Sequence, residues 1–140
     1  MAWKSLGLLI AGLVLSSSLM AQKNNPFLGI WKLRSDDQTM MIIATPAADG
    51  FTDIRITIGK DNKASAEIHP VAFDGQPHQT AGGDARKISY KRLDADTIER
   101  TQDRDGKIAM DTEQVSKDGK TMTIKTAAGD RIYDKQFDVR

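Results

Sequence analysis

From residue 27 onward, apolar and polar side chains alternate with a period of two, the pattern of strands with one buried face. Phe51-Thr52-Asp53-Ile54-Arg55-Ile56-Thr57-Ile58 carries it over a full strand, and the turn residues Gly59-Lys60-Asp61-Asn62 separate it from a partner at 64–68. Further strands are expected at 28–34, 87–93, 97–102, 108–115, 121–126 and 131–139. Residues 38–45 contain the continuous run Met40-Met41-Ile42-Ile43-Ala44, which suits a strand or a short buried helix; two isoleucines and Pro46 favour the strand. The stretch 71–83, with Asp74-Gly75-Gln76-Pro77 and Gly82-Gly83, reads as a long surface loop with a short edge strand at 71–73. Asp105-Gly106 and Asp118-Gly119 lie between alternating segments, the strongest short-range signal for a hairpin. No amphipathic helix is evident in 22–140. The expected fold is all-β, an up-and-down antiparallel barrel of about eight to nine strands, because closure removes the edges an exposed sheet would present.

The first 21 residues break the pattern. Lys4 precedes an apolar run over 6–15, and Ser16-Ser17-Ser18-Leu19-Met20-Ala21 ends on a small residue. This is the layout of a secretory signal peptide cleaved after Ala21, followed by one domain over 22–140. The alternative, an uncleaved anchor, needs about 20 apolar residues, more than the run supplies. The expectation is therefore export to a periplasmic or extracellular location, with no integral membrane span after processing.

Charge and cysteine content narrow the partners. Loss of Lys4 leaves 19 of the 20 basic residues against 19 acidic ones, a balance that excludes a nucleic-acid-binding face. There is no cysteine, so an exported domain must hold its fold by its core alone.

Candidate chemistry is sparse. His69, Asp74 and His78 are the residues available for a loop site, but two histidines with one carboxylate fall short of a metal set, and two solvated loop histidines is the plainer reading. No cofactor or metal is implied, and no nucleophile motif is present. Met40, Met41, Met110 and Met122 serve either as gap-fillers or as an adaptable binding surface. Trp31, in Gly29-Ile30-Trp31-Lys32-Leu33, shares a strand face with Leu33 and is expected to plug one barrel end, with Arg131 or Arg140 stacked on its ring.

The opening Phe27-Leu28-Gly29-Ile30-Trp31-Lys32-Leu33 resembles the Gly-x-Trp start of the lipocalin and fatty-acid-binding superfamily. Together with Asp74-Gly75-Gln76-Pro77, Leu93-Asp94-Ala95-Asp96-Thr97-Ile98-Glu99, the segment 115–124 and Tyr133-Asp134-Lys135-Gln136, it is similar to a group of small exported bacterial lipocalin-like proteins of unassigned function. That resemblance implies a non-catalytic barrel that binds a small apolar or amphipathic ligand. Trp31, Ile54, Tyr90, Met110 and Met122 are the expected ligand-facing residues. Two other readings stand beside it: an envelope interaction module whose barrel is filled by its own side chains, and an enzyme with a loop site at His69, Asp74 and His78.

Overall fold

A computed structural model describes residues 25–139; the expected signal peptide lies outside them. Ten strands follow one another: β1 (Gly29–Leu33), β2 (Thr39–Ala47), β3 (Gly50–Ile58), β4 (Ala64–Ala72), β5 (His78–Gln79), β6 (Lys87–Arg92), β7 (Thr97–Arg104), β8 (Lys107–Val115), β9 (Thr121–Thr126) and β10 (Gly129–Phe137). They form one antiparallel sheet in the order β4-β3-β2-β1-β10-β9-β8-β7-β6-β5. The additional strand is β5, two residues inside the stretch read as loop; 71–72 instead complete β4, and Phe73 lies just past its end.

The ends of this sheet meet. Ile68 and Ala81 exchange backbone hydrogen bonds of 2.8 and 3.0 Å, and Arg86 donates to Glu67 across the same seam at 2.5 Å. Gly82 permits the approach, since a Cβ there would stand 2.3 Å from the carbonyl oxygen of Ala66. Pro70 lies inside β4 beyond the Ile68 bridge, where an absent N–H costs no ladder bond across the seam. Opposite the seam, β1 pairs with β10, with an irregularity between Ile30 and Trp31. A Cβ on Gly29 would approach the carbonyl oxygen of Phe137 to 2.6 Å, so glycine is needed at this crossing.

Turn chemistry agrees with the sequence. Asp105 and Gly106 both have positive φ, 52° and 82°, as a two-residue hairpin turn requires. In the Asp118-Gly119 turn, Gly119 alone is positive, at 70°, and its N–H donates to the Ser116 carbonyl at 2.9 Å.

Which face of each strand points inward departs from the reading that apolar means inside. On β3 the buried residues are Phe51, Asp53 and Arg55, while Ile54 and Ile56 are half-buried and Ile58 is exposed. On β8 the buried residues are Asp111, Glu113 and Val115, and Met110 is 56% exposed. Ile54 and Met110 therefore face outward. The physical reason is that charges from opposite strands satisfy one another inside the barrel, so Asp53 and Arg55 can take the inward positions of β3.

Candidate functional site

The barrel interior is built in two layers. At the end where β1 starts and β4 finishes, Phe27 and Phe51 stack with centroids 5.9 Å apart, and Phe73 tilts against Phe51 at 6.2 Å. The Asn25-Pro26 turn sets this floor: the Asn25 side-chain oxygen accepts from the Phe27 N–H at 3.1 Å, folding Phe27 over the opening. Trp31 is fully buried, and its indole N–H donates to the Phe27 carbonyl at 2.8 Å. The cation on its ring is Lys135, 4.7 Å from the centroid, because the β1–β10 register places Lys135 opposite Trp31. Arg131 pairs farther along with Ile124, and Arg140 lies outside the described residues. Met122, Val115 and Ile98 belong to the same buried core.

Beyond this floor the interior is ionic. Arg55 Nη2 donates to Asp53 Oδ2 and to Glu113 Oε1, both at 2.8 Å, so it ties β3 to β8 across the barrel. Arg100 on β7 is bonded to Asp111 and lies 3.5 Å from Glu113, and Gln102 donates to Asp111 at 2.6 Å. His69 on β4 is fully buried, with Nε2 2.9 Å from Glu67. Three guanidiniums, of Arg55, Arg86 and Arg100, thus meet the four carboxylates of Asp53, Glu67, Asp111 and Glu113.

Burial tunes these groups. It pushes the Asp53 carboxyl up to about 6, with Arg55 opposing the shift. Burial, reinforced by the Arg55, Arg100 and Arg86 charges, drives His69 down to about 2. His69 is therefore neutral, and the acceptor Glu67 fixes its tautomer: Nε2 carries the proton and Nδ1 is left as an acceptor. The Tyr90 phenol is held above its ordinary range, chiefly by burial. Among the described residues, four buried side-chain polar atoms have no hydrogen-bond partner: Arg55 Nε, His69 Nδ1, Arg86 Nε and the Tyr90 hydroxyl. The interior cations are already paired with carboxylates, so the groups left over are two guanidinium N–H donors, a phenol hydroxyl and an imidazole acceptor.

The concavities lie at the rims and flanks. One of about 440 Å³ is bounded by Phe73, Gly75, Tyr90 and Arg92, where the Arg92 guanidinium sits 4.6 Å over the Phe73 ring. Another of about 560 Å³ lies among Asp94, Asp96, Lys117 and Thr123, and one of about 290 Å³ at the opposite rim beside Leu33, Gln38 and Arg131.

Of the ligand-facing residues expected from sequence, Trp31, Tyr90 and Met122 are inside and buried, while Ile54 and Met110 are not. The loop trio does not assemble. Asp74 pairs with His78 Nε2 at 2.8 Å on the surface, whereas His69 is an interior residue with Glu67 and Arg86 beside it. The expectation of a solvated His69 fails because β4 runs on through Pro70, and its period of two turns residues 67, 69 and 71 inward. Among the described residues no group of three His, Cys, Asp or Glu could hold a metal, and no helix is long and apolar enough to cross a membrane. Sequence reasoning missed Asp53, Arg55, Arg100 and Glu113. The available signal was charged residues placed two apart within otherwise apolar-alternating strands.

With this geometry the chain is similar to a solved Schistosoma mansoni fatty-acid-binding protein in complex with arachidonic acid, at 17% identity and a TM-score of 0.55 over 79% of this chain and 96% of that one. The fold is a lipocalin/fatty-acid-binding-type barrel. No protein-family model and no curated protein matches the sequence. The likeness carries the fold alone at this identity.

Proposed function

We propose that the chain is a non-catalytic binding protein that holds a small amphipathic molecule in its barrel. The observation that carries this reading is Tyr90. Its buried hydroxyl has no hydrogen-bond partner and lies inside the barrel, where the charges of Arg55, Glu113 and Asp53 act on it. A buried hydroxyl normally finds a hydrogen-bond partner, and its absence here is an opening for a ligand group. The aromatic floor of Phe27, Phe51 and Trp31 suits the apolar part of such a molecule. The fatty-acid-binding protein that shares the fold holds arachidonic acid, which supports an apolar chain in the ligand. A free carboxylate suits this interior less, because Arg55 and Arg100 already bind carboxylates of their own chain.

The test is a panel of twelve-carbon molecules differing only in head group, read by thermal shift and native mass spectrometry. A bound neutral member, with affinity reduced by Tyr90→Phe, is the expected outcome. Stabilisation by no member of the panel would overturn the reading. We further propose that the protein is exported after cleavage near Ala21, on the strength of Lys4 and the apolar run that follows. Intact-mass analysis of the exported material checks this, and retention of residues 1–21 would contradict it.

A further inference from the structure

Along the barrel interior the inward side chains change from charged to apolar, and three unpartnered polar atoms belong to residues at that change. Towards the aromatic floor, the inward order is Arg55, Asp53, Phe51 on β3 and Glu67, His69, Val71 on β4. The ladder sets Arg55 opposite Glu67, Asp53 opposite His69 and Phe51 opposite Val71. Arg55 and His69 are thus diagonal neighbours on adjacent strands, a separation of about 7–8 Å that long side chains span. Tyr90 enters the same neighbourhood from β6. It is opposite Arg100, which lies 3.5 Å from Glu113, the carboxylate that Arg55 also binds. The charges of Arg55 and Arg100 act on both the phenol and the imidazole.

The atoms without a partner here are of two kinds. Arg55 Nε–H and the Tyr90 hydroxyl donate, whereas His69 Nδ1 accepts, because the imidazole proton sits on Nε2 facing Glu67. Arg86 Nε, also without a partner, stands apart at the seam, where its guanidinium binds Glu67.

We propose that the polar end of the ligand is an alcohol hydroxyl seated among Arg55, His69 and Tyr90, a site that rests on the reading of the chain as a carrier. A hydroxyl has one proton to donate and two lone pairs. It gives the proton to His69 Nδ1 and accepts from Arg55 Nε–H and from the Tyr90 phenol. A carboxylate, ether, ketone or ester has no proton for His69. An ammonium has no lone pair for Arg55 or Tyr90, and it would stand among guanidiniums. A primary amide brings two N–H donors against one imidazole acceptor. A buried polar group left unpaired costs more than a made hydrogen bond contributes, so the donor count sets the selectivity. The apolar chain of the alcohol then runs towards Val71, Phe51 and Phe27, which belong to the buried core.

Dodecan-1-ol and 1-methoxyundecane are isomers that differ in this one O–H. Titration of the purified protein should show the alcohol binding at least about tenfold more tightly than the ether, dodecanamide or dodecanoate. Tyr90→Phe should weaken the alcohol and leave the ether unchanged. In protein labelled with nitrogen-15 histidine, the His69 Nδ1 resonance should move upfield with the alcohol and stay still with the ether, while His78 is unaffected by both. Equal affinity for the two isomers overturns the proposal and leaves the carrier reading standing. Tighter binding of the amide or the carboxylate, or an alcohol that binds without moving Nδ1, does the same. Binding of no member of the set overturns both.

Discussion

The two outer walls of this barrel are differently made. On β6 to β9 the outward row Lys91, Glu99, Thr112 and Lys125 runs in register across the strands, the charged and polar ladder of a wall in water. On β2 to β4 the corresponding rows are isoleucine, alanine, methionine and threonine. Both walls turn ionisable side chains inward: Asp53, Arg55 and His69 from one, Arg100, Asp111 and Glu113 from the other. The uncharged wall is therefore not the price of a polar interior, since its counterpart has a polar interior and a charged exterior. It is a local property of three strands.

Substitutions can break this contrast in order of expected size. Arg55→Ala removes the guanidinium that joins Asp53 to Glu113 and leaves two buried carboxylates facing each other. Breaking a buried pair in this way costs about 3–5 kcal/mol, to be read from denaturant unfolding. Trp31→Ala, which empties the floor, should cost a similar ~3–5 kcal/mol. A solvent-exposed emission maximum for Trp31 would contradict its placement, with Trp3 removed by processing or replaced by Phe. On the outer wall, Ile54→Thr should cost under about 1 kcal/mol. A cost equal to that of an inner substitution such as Ile42→Ala, about 2–5 kcal/mol, would erase the distinction between the two faces.

The pH profile is a further test, because two interior groups act on it with opposite sign. The folded-state pKa of Asp53 is raised to about 6, so the folded state binds the extra proton and stability falls as pH rises from about 4 to 6. His69 is lowered to about 2, so the unfolded chain binds the extra proton and stability is lost as pH falls below about 6.5. Between pH 4 and 6 the two slopes oppose each other in the wild-type protein. Asp53→Asn should uncover the His69 slope, giving a midpoint that drops steadily with acid through that window. A flat profile in the variant would show that His69 is not held neutral.

The alternation and the Asp-Gly turns made the strands and their antiparallel order legible, because these are local properties of a dozen residues. They also revealed Trp31, Tyr90 and Met122 as interior residues. Alternation divides a strand into two faces without saying which of them faces in. Asp53 and Arg55 are tolerable inside only because Glu113 arrives from β8, 58 residues beyond Arg55, and nothing in β3 alone announces that partner. Ile54 and Met110 were misplaced for this reason. His69 was hidden by Pro70, which reads as a strand end and instead sits within a strand that has little pairing across the seam.

Among the described strands, β1–β10 is the ladder that joins the first to the last; every other one pairs strands that follow each other in sequence. The Arg34–Asp134 ion pair spans the same crossing, with 100 residues between its partners. Nine strands can therefore be synthesised and zipped hairpin by hairpin while β1 still has a free edge. Closure waits for the last strand. Non-local β pairing of this kind is slow, taking milliseconds to seconds. The sheet is thus an open ribbon until β10 is present, and becomes a cylinder only when β10 meets β1.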